Sequence, residues 1–114
     1  MSALQTYLRR KTYGDKSWTA KTGEMIDLNG RKAQLLMTTS KNDYGQLVTS
    51  ASISFITAPG ITTFAVFSDF YIRLASVKTR CTEKAVAEQQ AEWVAQWDTI
   101  RQSALDFYAQ KEAA

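Results

Sequence analysis

The chain has 114 residues, of which 45% are hydrophobic, 22% charged and 11% aromatic, and its formal net charge is +3. That composition excludes a wholly disordered chain and a collagen-like repeat, because the side chains needed for a core are present. It is bounded to a single domain, residues 1–114, long enough to fold alone.

There is no histidine, and Cys81 is the single cysteine. Ser-His-Asp and Cys-His machinery within one chain is therefore excluded, together with an internal disulfide and a structural zinc site of the usual kind. The carboxylates Asp15, Glu24, Asp27, Asp43 and Asp69 fall near turns or on strands, while Glu88 and Glu92 share an exposed helical face. No inward-facing acid pair emerges from their spacing, and no glycine-rich phosphate loop or nucleophile elbow occurs. No cofactor, metal or catalytic residue is implied, and the expectation is a non-enzyme. Cys81, just before the expected C-terminal helix, is read as a small apolar residue at a helix start, with a reactive thiolate as the rival reading.

The opening MSALQTYLRR lacks the apolar run of a secretory signal, and no later stretch reaches transmembrane length. No membrane association and a cytoplasmic location are the expectations.

In chain order, the first twenty residues admit two readings. Leu4, Tyr7 and Leu8 fit a short helix, whereas Tyr13-Gly14-Asp15-Lys16 fits a two-residue hairpin with glycine first. The hairpin would pair Tyr13 with Lys16 and Lys11 with Trp18, setting Tyr7, Arg9, Lys11, Tyr13, Lys16 and Trp18 on one face. Asn29-Gly30, between 24–28 and 31–38, is the strongest hairpin signal, because a type I′ turn needs positive φ at both central residues. Ala33, Leu35 and Met37 then share a face, with Lys32 and Gln34 on the other. After the polar connection 40–45, Leu47, Ala51, Ile53 and Phe55 alternate with Val48, Ser50, Ser52 and Ser54, giving a strand with one dry face.

Ala58-Pro59-Gly60 reads as a turn. Residues 62–67 and 70–78 then form either two extended runs or one long bent strand with a bulge, whose core side chains are Phe70, Ile72 and Leu74. From Thr82 the period changes to between three and four. Val86, Gln90, Trp93, Trp97, Ile100, Ala104 and Phe107 make a stripe, widened by Ala87, Val94 and Tyr108, on an amphipathic helix over 82–112 capped by Thr82. The fold class is therefore α+β, an antiparallel β-meander of about four to six strands over 24–78 packed against one long C-terminal helix. Val86, Trp93, Trp97, Ile100 and Phe107 cover the sheet or form a dimer face, with Gln90 fixing its register in the second case.

Charge is unevenly placed. Residues 1–21 hold Arg9, Arg10, Lys11, Lys16 and Lys21 against Asp15, whereas residues 81–114 hold six acidic and three basic side chains. A cationic surface interleaved with Tyr13 and Trp18 suits single-stranded nucleic acid, whose phosphates take Lys and Arg while its bases stack on rings. The plain alternative is a solvated basic run. The element order resembles small single-strand-binding folds in outline, and no residue motif transfers a site from them. Two functions follow: a protein-interaction module such as an inhibitor, adaptor or assembly factor, in the style of mobile-element or phage accessory proteins; and a protein that binds single strands through its N-terminal face. A homodimer is expected, because the amphipathic helix and the opposed charges suit twofold association.

Overall fold

The computed structural model describes residues 5–10, 18–28, 30–56 and 65–113, with side chains over 18–28, 30–55 and 70–111. Strands β1 (Gln5–Arg10), β2 (Trp18–Leu28), β3 (Arg31–Lys41), β4 (Gln46–Ile56) and β5 (Ala65–Lys78) precede helices α1 (Glu83–Val94) and α2 (Trp97–Ala113). The strands form an antiparallel sheet in the order β1-β2-β3-β4-β5, so each pairs with its neighbour in sequence. Both helices lie on the same side of this sheet, which makes a two-layer α+β arrangement.

Alternation of side chains places the core. On β3, Ala33, Leu35, Met37 and Thr39 are all fully buried, while Lys32 is exposed and Gln34 and Leu36 are half-buried on the opposite face. The same period holds on β4, where Leu47, Thr49, Ala51 and Ile53 point towards the helices. The turn before β3 has Gly30 at φ +83°, and the Asp27 carboxylate accepts a hydrogen bond from Gly30 N at 2.7 Å. Asn42 organises the next turn: its Oδ1 accepts from the backbone N–H groups of Tyr44 and Gln46, each at 2.9 Å, and Gly45 follows at φ +75°. Positive φ at Gly45 suits glycine, since a Cβ there meets no neighbour but strains the backbone. Gly45→Ala is expected to cost about 1 kcal/mol in urea unfolding, and an unchanged midpoint would contradict this account of the turn.

β5 is one continuous strand with irregular pairing. Its register shifts between Thr49/Ser50 and between Ser52/Ser54, and the first shift skips Leu74, because Thr49 pairs with Ala75 and Ser50 with Arg73. Phe70 is buried, and Ile72 and Leu74 pack against the core from its margin, as the pattern predicts.

At the amino end, β1 pairs with β2 with Arg10 opposite Trp18 and Arg9 opposite Thr19. This differs by one residue from the expected match of Lys11 with Trp18. Because a single-residue slip exchanges the faces of a strand, positions 9 and 18 fall on opposite faces of the ladder. The residues that would close this hairpin, and the Ala58-Pro59-Gly60 turn, lie outside the described residues.

The expectation of one long C-terminal helix is corrected. Thr82 does cap α1, its hydroxyl accepting from Ala85 N at 3.1 Å, but the helix stops at Val94 and restarts at Trp97. At the break Gln96 N donates to Trp93 O at 3.0 Å, a tighter turn than an α-helix makes, and Ile100 N returns to Gln96 O at 3.2 Å. Neither Ala95 nor Gln96 is a helix breaker. The two segments divide the packing, Val86 of α1 joining one apolar cluster and α2 the other.

The core is divided accordingly. The larger cluster joins Leu35, Met37, Ala51, Ile53 and Phe70 to Trp97, Ile100, Ala104 and Tyr108 of α2. The smaller joins Ala20 and Leu47 to Val86 of α1, with Trp18, Cys81 and Ala85 at its margin.

Candidate functional site

Between the two apolar clusters runs a buried polar belt. Thr22, Thr39 and Thr49 project from β2, β3 and β4, and Gln89 and Gln90 descend on them from α1. Gln90 Nε2 donates to Met37 O at 3.1 Å and to Thr22 Oγ1 at 2.8 Å, so its Oε1 faces Thr39, whose hydroxyl donates to it. Thr39 has spent its single proton there, so the 2.7 Å contact between Thr39 and Thr49 must be donated by Thr49. Thr49 in turn accepts from Gln89 Nε2 at 2.8 Å, and the same nitrogen donates to Leu47 O at 3.1 Å. The chain of donation therefore runs one way, from Gln89 through both threonines to Gln90. Buried groups satisfied in this manner fix how a helix sits on a sheet. Gln90 thus bonds within its own chain, in place of the dimer-register role considered for it.

A second polar cluster lies beside Trp97. The Glu24 carboxylate, almost fully buried on β2, accepts from Trp97 Nε1 at 3.0 Å and from Arg101 Nη1 at 3.2 and 3.1 Å. Arg101 also reaches Asp98 with Nη2 at 2.6 Å. Both clusters are filled by their own partners. They hold α1 and α2 on the sheet.

Among the residues singled out for helix packing, Val86, Trp97 and Ile100 are buried against the sheet, Trp93 is half-buried, and Phe107 is 37% exposed at the edge. Of the N-terminal set, Lys11, Tyr13 and Lys16 lie outside the described residues, Arg9 and Arg10 stand on β1, and Trp18 is half-buried against the smaller cluster. Cys81 Sγ donates to Trp18 O at 3.2 Å, which ties the start of α1 to β2. No group of three or more metal-ligating side chains occurs among the described residues.

Among the described residues, two surfaces are left uncovered by the helices. The first is the β5 edge, where a shallow groove of about 420 Å³ lies between β5 and α2, lined by Phe70, Tyr71, Ile72, Ser103, Asp106 and Phe107. Tyr71, paired with Ser52 on the outer face, stands at its rim and is 58% exposed, and Phe107 meets Phe70 edge to face at 5.6 Å. The second is the face of the sheet that points away from both helices, which carries Lys21, Thr38, Ser50, Ser52 and Arg73. Sequence reasoning missed Gln89 and Arg101, set Glu24 aside as one of several scattered carboxylates, and missed the cross-strand rows of the outer face. Alternation along β2 could have flagged Glu24, which shares a parity with Thr22, Ile26 and Leu28.

No family model, curated protein or solved structure matches the chain. No described helix is long and apolar enough to cross a membrane.

Proposed function

We propose that the chain is a non-enzymatic protein-interaction module that assembles through its β5 edge, with a second copy of itself as the partner. The observation that supports this reading is an edge strand of fourteen residues bordered by a groove in which the Phe107 ring is partly exposed. Such an edge offers unpaired backbone groups, and proteins usually cover or blunt it. A second β5 supplies what this surface needs: an extended strand whose backbone groups pair with its own. A twofold axis uses the same patch on both copies and closes the assembly at two. The missing imidazole and the single thiol favour a surface role over catalysis.

Light scattering behind size-exclusion chromatography tests this. The wild type is expected to elute as a dimer in the micromolar range, and the Ser103→Lys/Phe107→Lys variant as a folded monomer with wild-type circular dichroism. A monomeric wild type throughout that range sinks the reading, as does a dimer unaffected by the two lysines.

A further inference from the structure

We infer that the uncovered face of the sheet binds single-stranded nucleic acid, with Lys21, Thr38, Ser50 and Arg73 holding phosphates and Tyr71 stacking a base. The register places these groups. Lys21 pairs with Thr38, Thr38 with Ser50 and Ser50 with Arg73, so the four form one row across β2, β3, β4 and β5. Neighbouring strands stand about 4.8 Å apart, so the two cations are separated by roughly 14 Å with two hydroxyls between them. The adjacent row is Gly23, Leu36, Ser52 and Tyr71, which sets an exposed ring next to Arg73.

Charge complementarity selects a polyanion. Lys32 and Lys78 add to the same face by strand parity, and Asp27, already accepting from Gly30 N, is its acidic member among the described side chains. Among the described residues, Lys21, Lys32, Arg73 and Lys78 form no ion pair, whereas Glu83, Glu88, Glu92, Asp98 and Asp106 all lie on the helices, on the far side of the sheet. An excess of cations over acids on one face, backed by acids on the other, attracts phosphate to that face.

The ring and the shape select a single strand. A base stacks on Tyr71 only when its face is free, which a duplex denies. A sheet face also presents no helix or ribbon to enter a major groove. This surface shares Tyr71 with the rim of the β5 groove, while Lys21, Thr38, Ser50 and Arg73 lie outside that groove.

Fluorescence anisotropy with a labelled oligothymidylate tests the inference, at salt between about 50 and 200 mM. Binding is expected to weaken steeply with salt. Lys21→Gln/Arg73→Gln is expected to lower affinity at least tenfold and to flatten the log–log salt slope by about 1.4, the value for two phosphate contacts on a single strand. Tyr71→Leu is expected to cost roughly tenfold with the salt slope unchanged. Lys84→Gln/Lys111→Gln, on the helices, should leave affinity as it was. Failure of the wild type to bind at low salt overturns the inference, as does equal loss in the helix variant or tighter binding to a polyglutamate peptide or to duplex than to the single strand. Light scattering on Lys21→Gln/Arg73→Gln, which should retain the wild-type oligomeric state, separates a failure here from a failure of the edge assembly.

Discussion

Gln90→Leu is expected to destabilise the fold by about 3 kcal/mol, lowering the melting temperature by roughly 12 °C in a chain of this size. Leucine nearly conserves volume, so the loss is not one of packing. It comes from the groups Gln90 now satisfies: the Thr39 hydroxyl would lose its acceptor and Met37 O its side-chain donor, in a region where Gln90 itself is only 2% exposed. Each buried polar group left unmade costs about 1–3 kcal/mol. The damage would extend along the chain, because Thr39 could then turn its proton towards Thr49 and oppose the proton Thr49 donates. Gln96→Ala, at an exposed position in the helix break, provides the comparison and should stay within about 0.5 kcal/mol of wild type. Urea unfolding of both variants decides the matter, and a loss below about 1 kcal/mol for Gln90→Leu would show that the belt is not structural.

The Glu24–Arg101 pair is expected to respond asymmetrically. Arg101→Met leaves a carboxylate whose side chain is 4% exposed with Trp97 Nε1 as its remaining side-chain donor among the described residues, whereas the Arg101 side chain is 36% exposed and can be hydrated. Breaking a fully buried pair costs about 3–5 kcal/mol, and partial exposure of the guanidinium brings the figure for Arg101→Met down to about 2 kcal/mol. Glu24→Gln should cost less, about 1 kcal/mol, because the amide oxygen still accepts from Trp97 and water takes over the arginine. The double variant should be more stable than the sum of the two losses, since neither change then leaves an uncompensated charge. Equal single losses, or strict additivity, would refute this account of the pair.

Much of the sheet was legible because its signals are local. Asn29-Gly30 marks a turn by backbone conformation alone, and the alternation of Leu35 and Met37 with Gln34 and Leu36 can be read two residues at a time. The capping threonine of α1 is equally local. What escaped depends on distant partners. Ala95 and Gln96 are good helix formers, so their own preferences argue against a break at this point. Glu24 meets Arg101 across 77 positions of sequence, and nothing near either residue announces the other. The β1–β2 register turned on a loop whose geometry composition leaves ambiguous, and a slip of one residue was enough to separate Arg9 from Trp18. The row Lys21, Thr38, Ser50 and Arg73 needs three registers at once, including the skip at Leu74, before it exists as a row.

The polar belt also partitions how this protein tolerates change. Leu47 and Ile53 sit on the same strand but on either side of it, in clusters that share no described member. Volume lost in one cluster therefore relaxes against a rigid, saturated seam and does not reach the other, so drift in the two halves accumulates by simple addition. Each half of the core is free to diverge alone, while the seam between them is held to five particular side chains.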